Sequence, residues 1–210
     1  MANRYDIIHD PYIDPKTGIL RNKICAHTQA ELDTAEAEIT YVIIATLSHG
    51  SSVNELVFEA ILLLEIHKEI FHDIYRWAGK IRTQDISKES GYFAHAEFIT
   101  GELDRISREL HADFELREGS RPFVVKRLAY YYGEFNAVHP FREGNGRAIR
   151  TFLRLLALSI GYDIDWQRIE VGENIAACKA AMRADYHGLE AMLDKLVVTI
   201  DHTKFNPKQL

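Results

Sequence analysis

His139, Glu143, Arg147 and Arg150 fall within twelve consecutive residues, His139-Pro140-Phe141-Arg142-Glu143-Gly144-Asn145-Gly146-Arg147-Ala148-Ile149-Arg150. A neutral histidine is the usual general base for drawing a proton from a hydroxyl nucleophile near physiological pH. Glu143 supplies a hard oxygen ligand of the kind Mg²⁺ takes, because that ion uses one or two carboxylates together with substrate phosphates. Gly144 and Gly146 let main-chain amides turn inward and approach a ligand closely. A helix that begins near Gly146 offers its first N–H groups and positive dipole end to an anion. Arg147 and Arg150 sit in the first turn of that helix, where the dipole favours acidic residues instead. A polyphosphate ligand explains the inversion, since guanidinium groups pair with phosphate oxygens in two-pronged fashion. Base, metal carboxylate, amide nest and paired arginines together describe phosphoryl or nucleotidyl transfer.

Each part has an ordinary reading by itself. A histidine before proline commonly closes a helix, Gly-Asn-Gly is commonly a turn, and a helical arginine is commonly a surface ion-pair partner. Phe141 reads as core packing that anchors the loop. The coincidence of all of them in one stretch reverses those readings. With a single carboxylate beside His139 and no histidine pair at metal-ligand spacing, a metallohydrolase is the weaker interpretation.

The elements that must position this stretch are mostly helical. Residues 1–27 hold Pro11, Pro15 and Lys16-Thr17-Gly18, and read as an extended, turn-rich arm. Leu32, Ala35, Ile39, Val42 and Ile43 recur at helical spacing and predict a helix from Thr28 to Leu47. Asn54 to Tyr75 reads as a longer one, with Gly79 as its stop signal. Ile81 to Ala96 predicts a small hairpin flap, with Ser87 to Gly91 as the turn between short segments. Further helices are expected over Phe98–Glu118, Pro122–Val138, Asn145–Ile160 and Glu173–Thr199, the last broken near His187-Gly188. Pro140 discourages helix just before it, so one helix should end at the histidine. In the helix after the loop, Arg147, Arg150 and Arg154 share one face, opposite Ile149, Phe152, Leu153, Leu156 and Ile160. Residues 201–210 read as a polar tail. The expectation is one mostly α domain over 1–210, with a small β-flap.

The 210 residues are enough for one domain with a sizeable core, and 47% hydrophobic with 27% charged residues is globular rather than disordered composition. A net charge of −6 argues against nucleic-acid binding by phosphate neutralisation. Cys25 and Cys178 lie far apart and outside any Cys-x-x-Cys pattern, as in a reducing compartment. Met1 to Asp10 carries no apolar signal core, and no run reaches the ~18 apolar residues of a membrane helix. A soluble, cytoplasmic protein without a membrane partner is expected, although delivery into another cell is compatible with the sequence.

Residues 139–150 match the signature of the Fic (filamentation induced by cAMP) family, His-Pro-Phe-x-Asp/Glu-Gly-Asn-Gly-Arg-x-x-Arg, at every specified position. The resemblance continues upstream. Ile66 to Gly79 is similar to the family's helix and Trp-Ala-Gly turn, Ile81-Arg82 through Phe93-Ala94-His95 resembles its flap, and Asp10-Pro11-Tyr12 through Asn22 resembles the opening arm of bacterial toxin-like members. The resemblance implies a Fic-type helical bundle whose activity is protein adenylylation, the movement of AMP from Mg-ATP to a hydroxyl of a target protein. It implies His139 as general base and Glu143 as the Mg²⁺ ligand. Gly144, Asn145 and Gly146 would form an anion hole for the α- and β-phosphates, with Arg147 and Arg150 on the β- and γ-phosphates. The flap would align the target by strand-like pairing. The toxin-like likeness implies type II topoisomerase subunits as a target class.

Adenylylation is favoured over phosphotransfer because the Gly-Asn-Gly-Arg core is complete; UMP or phosphocholine transfer, and an idle peptide-binding module, are the alternatives. Many family members carry an inhibitory helix with Ser/Thr-x-x-x-Glu-Gly/Asn, whose glutamate meets the second motif arginine, here Arg150. Thr34-x-x-x-Glu38 is followed by Ile39 and Ser51-x-x-x-Glu55 by Leu56, so neither fits. A separate small antitoxin protein supplying that helix is therefore expected.

Overall fold

The structure, a computed structural model, describes residues 10–50, 56–88, 91–113, 116 and 119–200. Residues 1–9 of the expected arm, the Ser51 to Glu55 segment and the 201–210 tail lie outside the described residues.

The first helix, α1 (Gln29–Gly50), starts where Thr28 and Glu31 form a reciprocal cap. Glu31 Oε2 accepts from the Thr28 and His27 amides, and the Glu31 amide donates to Thr28 Oγ1 at 3.3 Å. Next come α2 (Ala60–Phe71), the two-residue strands β1 (Ser87–Lys88) and β2 (Gly91–Tyr92), α3 (Ile99–Ala112) and α4 (Arg121–Val138). The remaining elements of the described residues are α5 (Asn145–Ser159), β3 (Tyr162–Ile164), α6 (Val171–Ala181), α7 (His187–Leu196) and β4 (Val197–Thr199). Helix α4 lies between α3, α5 and α7, while α5 packs on α2, α4 and α1. Phe71, Phe135, Phe141 and Phe152 fill the space between α2, α4 and α5 and are fully buried. The mostly helical expectation holds, and α4 and α5 fall within a residue of their expected limits.

Helix α1 runs three residues past its expected end at Leu47, and four further readings differ from the structure. Helix α2 is shorter than Asn54–Tyr75. The Ala60 amide donates to Ser107 Oγ at 2.8 Å, which fixes the start, and the chain turns after Phe71 so that Ile74 and Tyr75 enter the core. Helix α3 stops at Ala112 because Asp113 takes up tertiary partners: its Oδ2 accepts from Arg127 and from the Tyr131 hydroxyl. The flap pairs Ser87 with Tyr92 and Lys88 with Gly91, so three of the four paired residues lie inside the segment expected to be the turn and only Tyr92 falls in an expected strand segment. Finally, the Glu173–Thr199 helix is three elements. It breaks at residues 182–186, where Ala184 has φ 61°, and its last residues are β4, paired antiparallel with β3. Neither β3 nor β4 was expected from the sequence.

Candidate active site

The loop between α4 and α5 is built around Phe141 and Asn145. The Asn145 side chain accepts from the Phe141 amide at 2.8 Å and donates to the Phe141 carbonyl at 2.7 Å, closing the loop on itself. Gly144 has φ 82°, and a Cβ there would lie 2.3 Å from Phe71 Cζ, so only glycine fits. With Gly144 as N-cap, the first amides of α5 have no intrahelical acceptor and point out of the helix end.

His139 caps the C-terminal end of α4, in the left-handed conformation (φ 48°, ψ 62°) and buried. Its Nδ1 lies 3.2 Å from the Asn136 carbonyl, which can only accept; Nδ1 therefore carries the proton and Nε2 the lone pair a base needs. The ring stacks on Phe93 of the flap at 3.8 Å between centroids. Glu143 is exposed, with Oε1 accepting from the Gly144 amide at 2.9 Å, so the carboxylate sits at the mouth of the helix end.

The three arginines of α5 have separate surroundings. Arg150 folds back over the start of its own helix, with Nη1 3.0 Å from where a Gly146 Cβ would be. Its carbonyl accepts from Trp166 Nε1 at 3.0 Å, and its charge acts on the Tyr132 hydroxyl, which burial pushes up to about 12. Arg147 turns toward α1. Its Nη2 pairs with Glu36, its Nη1 donates to Thr40 Oγ1 at 3.3 Å, and its guanidinium lies over the Phe71 ring at 4.7 Å. The Tyr75 hydroxyl donates to the other Glu36 oxygen, and burial followed by the Glu36 hydrogen bond pushes that phenol far up. Arg154 shares the helical face by sequence but makes a two-pronged ion pair with Asp163 of β3 (2.6 and 3.0 Å).

Sequence reasoning assigned no role to the residues that brace this site. Fully buried His67 accepts the Gly79 amide on Nδ1 (2.8 Å), so Nε2 donates to the Glu143 carbonyl (3.0 Å), and its ring stacks on Phe141 at 3.7 Å. Arg142 reaches Asp10 of the arm (2.9 and 3.1 Å), and Tyr12 OH accepts from the Thr83 amide at the flap base (3.1 Å). A possible signal for Glu36 was its place among Leu32, Ile39 and Ile43 on the apolar stripe of α1.

No group of three or more potential metal ligands occurs among the described residues. The exposed Glu143 carboxylate beside the open amides of α5 is the kind of single protein ligand Mg²⁺ would take, with phosphate and water oxygens completing its shell. Glu143 is the carboxylate that would hold it there, where the ion would neutralise phosphate charge. Among the described residues no helix is long and apolar enough to cross a membrane.

Residues 58–157 match the model of the Fic/DOC family. The chain is 37% identical over 92% of its length to the protein adenylyltransferase VbhT of Bartonella schoenbuchensis, of which it spans 39%. It is 33% identical over 94% of its length to the probable protein adenylyltransferase Fic of Escherichia coli K12, of which it spans 96%. Among solved structures, the BepC protein of Bartonella tribocorum with bound AMPPNP superposes with a TM-score of 0.81 at 23% identity, covering 90% of this chain and 97% of that one. At that identity the likeness concerns the fold.

Proposed function

The chain belongs to the Fic/DOC family, and from that premise we propose that it is a protein adenylyltransferase moving AMP from Mg-ATP to a hydroxyl side chain of a target protein. The observation that carries this reading is the tautomer of His139. Its Nδ1 is committed to the Asn136 carbonyl, so Nε2 is the basic nitrogen, on the loop that leads directly into the open amide end of α5. Relatives named as adenylyltransferases support the choice of AMP as the group moved.

In the reaction, His139 Nε2 takes the proton of the target hydroxyl as its oxygen bonds to the α-phosphorus. The bond from that phosphorus to the β-phosphate bridging oxygen breaks, and pyrophosphate leaves. The amides at the start of α5 receive phosphate oxygens whose charge grows during transfer. Arg150 supplies a cation over that same helix end. Arg147 contributes its charge from a position fixed by Glu36 and Thr40. Glu143 would hold Mg²⁺, whose charge would offset that of the nucleotide phosphates.

The flap is the docking strand for the target, by main-chain pairing along β1–β2. Type II topoisomerase subunits are the target class that fits a toxin-like member. A separate antitoxin whose helix presents a glutamate to Arg150 is the regulator; within α1, Glu36 already meets Arg147 instead. The chain would then be the toxin of a toxin–antitoxin pair.

Incubation of the purified chain with ATP, Mg²⁺ and bacterial lysate tests the reading, with label at the α- or the γ-phosphate in parallel. Protein bands that carry α-label and vanish in His139→Ala and Arg150→Ala are expected. Bands labelled only from the γ-position would replace adenylylation with phosphotransfer.

A further inference from the structure

One buried cation at the base of the flap, to which the sequence assigned no role, joins the flap to the loop after α4. Arg82 is 1% exposed. Its Nε donates to the His139 carbonyl at 2.9 Å and its Nη2 to the Val138 carbonyl at 3.3 Å. The same guanidinium donates to Gln84 (Nη1, 2.7 Å) on the outgoing leg of the flap and to Ala94 (Nη2) on the returning leg. Its main-chain amide donates to the Pro140 carbonyl at 2.9 Å, and the Ala94 amide donates to the Ala137 carbonyl at 3.1 Å.

The last carbonyls of a helix have no partner within it. Here the carbonyls of residues 137 to 140 all receive donors from residues 82 and 94, so the end of α4 and both legs of the flap form one hydrogen-bonded unit. That unit holds the left-handed backbone of His139, a conformation that L-residues keep only where their surroundings over-determine it. It also holds Phe93, next to Ala94, against the His139 ring. The nearest carboxylate, Asp85, is 3.9 Å from Arg82 Nη1 and is itself bonded to His95 Nδ1 and the Ala96 amide, both at 2.7 Å. The Arg82 charge is thus satisfied mainly by carbonyls. Only the planar, five-donor guanidinium reaches acceptors spread in these directions.

We propose that Arg82 is a positioning residue for the transfer reaction, seating the base His139 against the flap that presents the target hydroxyl. The inference rests on the adenylyltransferase reading for its catalytic consequence, and on the hydrogen-bond geometry alone for its structural one. Misplacement of a catalytic group by about 1 Å costs on the order of 100-fold in rate. Nucleotide binding at the α5 end does not pass through Arg82 and should survive its loss.

The test is Arg82→Lys in the full chain, which keeps the charge but not the fork. Three quantities are compared with wild type: His139 ring-proton shifts by NMR, assigned by their absence in His139→Ala; AMPPNP affinity by calorimetry; and kcat for α-label transfer. Stacking on Phe93 should shift the wild-type His139 protons upfield. In Arg82→Lys that shift should shrink and kcat should fall about 10- to 100-fold, with AMPPNP affinity within about twofold. In Arg82→Ala, added guanidinium ion should restore part of the rate.

An unchanged ring shift, or a wild-type rate, in folded Arg82→Lys would overturn the proposal. So would AMPPNP affinity falling in step with the rate, which would mean that Arg82 only supports the fold. If Arg82→Lys does not fold, Phe93→Leu removes the ring seat while sparing Arg82. The same loss of rate at intact affinity supports the proposal, and a wild-type rate refutes it. Should the wild-type chain transfer no adenylyl group, the functional reading fails, and the ring shifts still decide whether Arg82 seats His139.

Discussion

Acidification from pH 7 to pH 5 should destabilise this fold by about 2 kcal/mol through His67 alone. The ring is fully buried, and both nitrogens are assigned: Nδ1 accepts from Gly79 and Nε2 donates to Glu143. A second proton would set Nδ1–H against the Gly79 N–H. Burial pushes the pKa down to about 4, the Glu143 carbonyl opposes the fall, and the Arg147 charge adds to it. As pH drops, the unfolded chain takes up the proton near its ordinary value of about 6.5, before the folded chain does. Stability is therefore intact above that value and is lost progressively down to the folded pKa, where the cost reaches about 3 kcal/mol at about 1.4 kcal/mol per pH unit. Urea unfolding at pH 7 and pH 5, for wild type and His67→Gln, isolates the effect. Exposed His95 and His187, whose carboxylate partners raise their pKa, act with the opposite sign but are common to both proteins and cancel. Wild type should lose about 2 kcal/mol more than His67→Gln between the two pH values. Equal losses in the two proteins would refute the assignment of His67 as a buried neutral ring.

Three further outcomes are expected. Gly144→Ala places a methyl group against Phe71 in a left-handed backbone, and should cost about 2–4 kcal/mol in urea unfolding while removing label transfer. Glu36→Gln leaves Arg147 without its carboxylate at a mostly buried site, and should cost about 2 kcal/mol after allowance for partial exposure, read as a fall in Tm of about 4–8 °C by calorimetry. Arg154→Ala breaks the link to Asp163 and should lower stability by about 1 kcal/mol, yet leave AMPPNP affinity within about twofold, unlike Arg150→Ala.

The loop between α4 and α5 was legible because its determinants are local. His139, Glu143, the glycines and Arg150 occur in one run, and the proline and glycines dictate the turn between α4 and α5 whatever the rest of the chain does. The braces were not legible, because each is a meeting of distant residues. Glu36 with Arg147, His67 with Glu143 and Arg82 with His139 are separated by 111, 76 and 57 positions. The same distinction governs the fold. Apolar spacing located the helices, but tertiary partners (Ser107 for α2, Asp113 for α3) set two of their ends. The β3–β4 pair joins Tyr162–Ile164 to Val197–Thr199, and Val197-Val198-Thr199 continues the preceding apolar pattern without a turn signal.

Peptide mass spectrometry of lysate proteins modified by the wild-type chain and by His139→Ala tests the central claim most directly. The expected result is the mass of one adenylyl group on a serine, threonine or tyrosine hydroxyl, present with wild type and absent with His139→Ala. A phosphoryl mass on those peptides would contradict AMP as the group moved, and adenylyl groups appearing equally with both proteins would contradict His139 as the base.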